Sequence, residues 1–206
     1  MELVDFNVAK KLLSDYKINF PKTFFVSNGH DAETASQVVK YPIFLKIYGK
    51  NILHRTEHGG VTEIKDKNDL LLEFSKMMNI KGVEGVLIQE KVLGKSLIVG
   101  MKRDAQFGPV IMVGIGGIFT EIMKDFVLRV APVSEADALK MMSELKGYAY
   151  LCGQRDKKTI NFAEVAKIIA KISDLSIKEK QINEIDLNPV ISDEKNALAV
   201  DYKFLI

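Results

Sequence analysis

Glu184-Ile185-Asp186-Leu187-Asn188-Pro189-Val190-Ile191 is the stretch on which the reading of this chain turns. Apolar and oxygen-bearing residues alternate through it, the period-two pattern of a strand, so Glu184, Asp186 and Asn188 fall on one face. Leu198-Ala199-Val200-Asp201 follows a hairpin's length away, with Asp201 thirteen residues beyond Asn188. Three oxygen-bearing side chains in a row are costly against a core. An amide oxygen with one or two carboxylates, leaving room for water and phosphate, is the coordination that magnesium prefers. The polar outer face of an ordinary hairpin is the alternative.

Working outward, the remaining chain alternates helix and strand signals. Ala9, Leu12, Leu13 and Tyr16 recur at helical spacing after a cap at Asp5. A short strand is expected over 22–26, and a helix capped by Asp31 carries Ala35, Val38 and Val39 up to Pro42. The strand Ile43-Phe44-Leu45-Lys46-Ile47 follows at once, then a strand near Val61 and a helix from Asp66 with Leu70, Phe74, Met77 and Met78 on one face. Strands are expected over 82–89, 97–102, 110–113 and 118–121, the last two joined by Gly114-Ile115-Gly116-Gly117. Ser134 with Asp137, and Asn161 with Glu164, resemble capping boxes for two more helices. The order predicts an α+β chain in two lobes, 1–90 and 91–206, sharing a tight cleft without a flexible linker.

Three further features carry chemistry. Lys46 stands inside an apolar strand, where a lysine rarely goes without a partner; an ammonium on a rigid strand can reach phosphate oxygens, and an exposed strand face is the competing explanation. Asn51-Ile52-Leu53-His54-Arg55-Thr56-Glu57-His58-Gly59-Gly60 holds two of the chain's three histidines. Imidazole can serve there as ligand, base or nucleophile. Gly114-Ile115-Gly116-Gly117 lets backbone amides approach phosphate, although a close-packed bend would use the same residues. It is neither a dinucleotide fingerprint nor a P-loop, since Phe119 replaces the last glycine and no Gly-Lys-Ser/Thr follows. Glu121, Lys124, Asp125 and Arg129 come next, and the guanidinium fork of Arg129 suits phosphate.

Composition excludes other classes. With 29 Lys+Arg against 27 Asp+Glu, the net charge of +2 gives no cationic field for nucleic acid as the main partner. One cysteine, Cys152, makes no intrachain disulfide and no metal-ligand spacing. No window approaches the roughly 18 apolar residues of a membrane span, and residues 1–5 lack the basic start of a signal peptide. A cytoplasmic chain is expected.

Taken in order, several segments resemble the ATP-grasp β subunits of ADP-forming acyl-CoA (acetate–CoA) synthetases, relatives of succinyl-CoA synthetase. They are 41–47, Ile52-Leu53-His54-Arg55 with Gly59-Gly60-Val61, 85–90, 103–112, 116–121, Arg129-Val130-Ala131-Pro132, 184–189 and 199–201. The resemblance covers nearly the whole chain. It implies an ATP-grasp fold, two α+β lobes enclosing a nucleotide cleft, and the reaction acyl-CoA + ADP + phosphate ⇌ carboxylate + CoA + ATP. Lys46 would contact the nucleotide phosphates, and Gln89, Glu90 and Val92 would form the adenine-side hinge. Asn188 and Asp201 would hold Mg2+ with Glu184 close by. Arg129 and the Gly116-Gly117 turn would sit near the transferred phosphate, and His54 would relay it as a phosphohistidine. A separate α subunit with a CoA-binding Rossmann domain and its own phosphohistidine is the implied partner, making a hetero-oligomer.

Two departures stand out. The family pattern after the hinge is Pro-Gly-Gly-Arg/Lys-Glu, whereas this chain has Leu93-Gly94-Lys95-Ser96, with Ser96 where an acidic residue is expected. Glu57-His58 replaces the usual pair, and His58 is given no catalytic role. A stand-alone ATP-grasp carboxylate ligase and a non-catalytic nucleotide-binding subunit are the alternative functions.

Overall fold

A computed structural model describes residues 2–49, 52, 59–117, 124–154 and 157–206. The elements run α1 (Phe6–Asp15), β1 (Thr23–Val26), α2 (Gly29–Val39), β2 (Ile43–Tyr48), β3 (Val61–Ile64), α3 (Leu70–Met78), β4 (Gly85–Glu90) and β5 (Lys95–Asp104). They continue as β6 (Gly108–Ile115), β7 (Phe126–Val130), α4 (Glu135–Ser143), α5 (Tyr148–Leu151), α6 (Phe162–Lys178), β8 (Glu184–Ser192), β9 (Ala197–Ala199) and β10 (Tyr202–Leu205). Mixed helix and antiparallel sheet make this an α+β chain. Contacts divide it into two units, residues 21–92 and residues 1–20 with 93–206. Among the described residues, no helix is long and apolar enough to cross a membrane.

The smaller unit is a four-stranded antiparallel sheet in the order β1-β4-β2-β3. Alternation along β2 sends Ile43, Leu45 and Ile47 to one side, where Val86 and Ile88 of β4 join Ala32, Ala35 and Val39 of α2 and Leu70, Phe74 and Met77 of α3 in a closed core. The other face takes Phe44, Lys46 and Tyr48. Helix α2 begins at Gly29 rather than at Asp31, because the Asn28 side chain accepts the Asp31 N–H at 2.9 Å. Helix α3 begins at Leu70; Asp66 instead closes the preceding turn, accepting the Asn68 N–H at 2.8 Å.

In the larger unit the sheet order is β10-β8-β5-β6-β7, with β9 also paired to β8. Helices α4 and α6 cover one face through Val99, Met101, Ile111, Val113, Ile185 and Leu187, all buried. The opposite face bears Gly100, Met112, Leu128 and Asp186 in one cross-strand row and forms the floor of a groove of about 690 Å³. Ser134 and Asp137 make the full capping box of α4, and Asn161 caps α6 by accepting the Glu164 N–H.

The N-terminus belongs to this unit, which changes the expected division at residue 90. Residues 2–4 run along β10, with Glu2 N–H donating to Ile206 O at 2.8 Å and Val4 N–H to Phe204 O at 2.9 Å. Phe6 of α1 stacks on Tyr202 at 5.9 Å between ring centroids. Edge pairing and aromatic burial, distant in sequence, fix that assignment. A second change concerns the glycines: Gly114 and Ile115 complete β6 rather than forming a turn. An ideal Cβ on Gly114 would lie 2.9 Å from Asp125 O, so close strand packing requires that glycine.

Candidate functional site

β8 owes its chemistry to an interruption. Opposite β5 the register runs Leu187↔Val99 and then Val190↔Leu97, so three residues of β8 face two of β5. This is a β-bulge at Asn188-Pro189, and it shifts the buried positions from 185 and 187 to 190 and 192. On the other flank β10 pairs with 184–187 and β9 with 190–192. Val200 and Asp201 therefore cross between two short strands directly beside the bulge. Asn188 N–H donates to Asp201 O at 3.0 Å and Val200 N–H to Pro189 O at 2.9 Å. The Asn188 side chain is exposed, and Asp201 is half-buried.

Asp186 lies on the same face, opposite Lys203 of β10. Its carboxyl is pushed above the usual 3.8, first by burial, with Asp201 and Glu184 adding like charge and Lys203 opposing them. Asp186, the two carboxylates that add like charge to it, and the Asn188 amide oxygen are hard-oxygen groups of the kind a divalent cation binds. Among the described residues no three His, Cys, Asp or Glu side chains are grouped so that they could hold a metal ion. The described carboxylates by themselves thus make no metal site, and a cation here would need further ligands from outside them.

Lys46 sits in the smaller unit, 6% exposed, between Val61 of β3 and Leu87 of β4. By register it shares its face with Gln89, which pairs with Phe44. Gln89 is buried and its Nε2 donates to Thr23 Oγ1 at 2.9 Å. Glu90 closes the strand end, its carboxylate accepting the Lys22 N–H at 2.9 Å while its own N–H donates to Lys22 O at 3.0 Å. Two residues on, Val92 ends the unit. The side chains of Gln89 and Glu90 are thus engaged with β1 and its approach.

Ser96 and Gly116 are brought together. Gly116 N–H donates to Ser96 O at 2.8 Å, and an ideal Cβ on Gly116 would stand 2.1 Å from Ser96 Oγ. The Gly116 amide is therefore committed to the β5–β6 ladder, and the turn begins at Gly117, whose φ of +88° favours glycine. Arg129 pairs with Ile111, which puts it on the helix-covered side of the sheet, and its Nη2 meets Glu144 Oε1 at 2.6 Å. That side is opposite the one carrying Glu184 and Asp186. His54, His58 and Glu121 lie outside the described residues. Lys203, Lys95 and Asp125 carry no individual role in the local sequence pattern; a charge interrupting the apolar alternation of a strand is the available signal for the first two.

Residues 2–206 match the model of the ATP-grasp domain. Acetate–CoA ligase [ADP-forming] I subunit beta of Pyrococcus furiosus is 39% identical over 207 residues, a match covering 96% of this chain and 89% of that one. The chain belongs to this family of ADP-forming acetate–CoA ligase beta subunits, built on the ATP-grasp fold. Among solved structures, the dinucleotide-forming acetyl-coenzyme A synthetase 1 of Ca. Korarchaeum cryptofilum, in complex with coenzyme A, Ca-AMPCP and HgCl+, superposes with a TM-score of 0.94. It is 30% identical, and the match covers 100% of this chain and 93% of that one. The same enzyme with coenzyme A and Mg-AMPPCP, its phosphohistidine segment pointing towards the nucleotide binding site, gives 0.86 at 29% identity, with the same coverage.

Proposed function

We propose that this chain is the nucleotide-charging β subunit of an ADP-forming acid–CoA ligase, working with a separate α subunit that binds CoA. The observation that carries the reading is the strand break joining Asn188 to Asp201, which gathers hard-oxygen ligands on an accessible face. The family and the nucleotide complexes of its structural relatives support it. In this reading Asn188 and Asp201 would hold Mg2+ with Glu184 close by, and the ion would supply neutralisation of phosphate charge. Lys46 donates to phosphate oxygens from its buried strand position, where the low dielectric strengthens the contact. The adenine side rests on the 89–92 segment, chiefly through backbone groups, since the Gln89 and Glu90 side chains are engaged elsewhere.

His54 is the relay. Its imidazole nitrogen attacks the phosphorus carried by a histidine of the α subunit; the new N–P bond forms as the old one breaks, and the partner's imidazole leaves. A terminal phosphate oxygen of ADP then attacks the same phosphorus, forming the P–O–P link of ATP and releasing His54. The expected place of Arg129 near the transferred phosphate does not fit its position on the helix-covered side, paired to Glu144, and no step is assigned to it.

The test is to mix the chain with its α subunit and γ-labelled ATP. Acid-labile label on this chain, absent in His54→Ala, is expected. Label confined to the α subunit removes the relay, and turnover without any partner replaces the reading with a stand-alone ligase.

A further inference from the structure

Two charged side chains of the larger unit are buried yet belong to no part of the site above: Lys95 at 5% exposure and Asp125 at 7%. They meet at α5, the four-residue helix Tyr148–Leu151. The amides leading into that helix, Lys146 N–H and Gly147 N–H, donate to Asp125 Oδ1 and Oδ2 at 2.9 and 2.8 Å. At the other end Lys95 Nζ donates to the Tyr150 carbonyl and lies 4.2 Å from the centroid of the Tyr150 ring. An anion at the start and a cation at the end match the helix dipole. A single turn does not persist alone in water, so these contacts account for its presence.

Each end of the helix is also tied to a strand bordering Gly116. Lys95 directly precedes Ser96, the residue that holds Gly116 by hydrogen bond and by contact. Asp125 O accepts the Ile115 N–H at 3.3 Å, and Ile115 Cδ1 fills the space beside Gly147, 2.1 Å from where a Cβ would stand. α5 is thus wedged on the helix-covered side of the sheet, behind the Ser96–Gly116 pair. We propose that Lys95 and Asp125 are positioning residues that act through α5 to fix that pair, and hence the point at which the Gly117 turn leaves the sheet. The consequence for phosphate handling rests on the function proposed above; the mechanical role does not.

Hydrogen exchange of the full-length chain, read amide by amide, tests the mechanical role. Asp125→Asn and Lys95→Met are each expected to speed exchange of the Gly116 amide about tenfold, while the Asn183 amide, bonded to Leu205 O in the same unit, stays within about twofold. The double variant is expected to match the faster single one, because the two residues act as one device. Equal acceleration at Gly116 and Asn183 would mean general destabilisation and overturn the proposal, as would independent, multiplying effects. Should Lys95→Met fail to fold, Asp125→Asn and Lys95→Arg decide, the latter expected to keep Gly116 protected.

In the complex with the α subunit, Asp125→Asn is further expected to lower kcat for ATP formation about tenfold with the KM for ADP nearly unchanged. Unchanged kcat with an accelerated Gly116 amide would confine the prop to structure and remove its catalytic consequence. A wild-type complex that forms no ATP would sink the functional reading, while the exchange comparison would still decide the prop.

Discussion

The two sheets of this protein each present polar groups on one face, and they do it by opposite means. In the smaller sheet, β2 is regular: Ile43, Leu45 and Ile47 enter the core, and Lys46 follows from alternation alone. In the larger sheet the candidate magnesium face depends on a break, the Asn188-Pro189 bulge opposite the gap between β9 and β10. A single charged group on a rigid strand needs only the right phase. Several oxygen atoms that must converge on one ion need backbones brought together out of register. The lesson is that regularity delivers single groups and irregularity delivers constellations.

That contrast can be broken by three substitutions. Asp201→Ala is expected to have the largest effect, lowering kcat by about 10²- to 10³-fold and abolishing the Mg2+ dependence of nucleotide binding in calorimetric titration. Its thermal midpoint should move less than its metal dependence, since the backbone bonds of the junction, Asn188 N–H to Asp201 O and Asp201 N–H to Pro189 O, survive the change. A large stability loss with intact metal dependence would reverse the picture, making the break a structural joint only.

Lys46→Met comes next. A charge-assisted bond to phosphate is worth about 1.5–3 kcal/mol, so nucleotide affinity should fall roughly 10- to 100-fold. The affinity loss should persist in a variant that stays folded, read by its thermal midpoint, since Lys46 is buried and its replacement is an apolar chain of similar length. Lower stability with unchanged affinity would place Lys46 among the core-forming residues of its sheet.

Asp186→Asn is the smallest and the most diagnostic in sign. Because the folded carboxyl titrates above its ordinary 3.8, ionising it costs native stability. That cost is absent below the unfolded value, grows as pH rises through the interval between the two values, and is complete above the folded one. In metal-free protein the variant should therefore melt higher at neutral pH, with the gain vanishing on acidification below about 3.9. A variant less stable at neutral pH would show that Lys203 outweighs burial and the neighbouring carboxylates.

Much of the fold was legible residue by residue. The cap at Asp5, the box at Ser134 and Asp137, and the cap at Asn161 mark helices where local chemistry is sufficient. Boundaries went astray where a nearer side chain took the capping bond, as Asn28 did ahead of Asp31, or where a glycine served packing, as at Gly114. The acidic run and Lys46 were visible because charge inside an apolar alternation is conspicuous. Lys95 and Asp125 were not readable as a pair, since their common partner lies more than twenty residues from either along the chain.

By itself, then, the sequence determined the α+β class, the phase of β2 and β8, and which residue types could meet a phosphate or a hard cation. Those follow from local periodicity and side-chain chemistry, which any short window contains. Tertiary structure alone decided that the first twenty residues join the C-terminal sheet, that Asp201 meets Asn188 at a bulge, and that Arg129 turns to Glu144. Each depends on register between strands or on contact between distant elements, and register is set by the packing of the whole sheet rather than by any one strand.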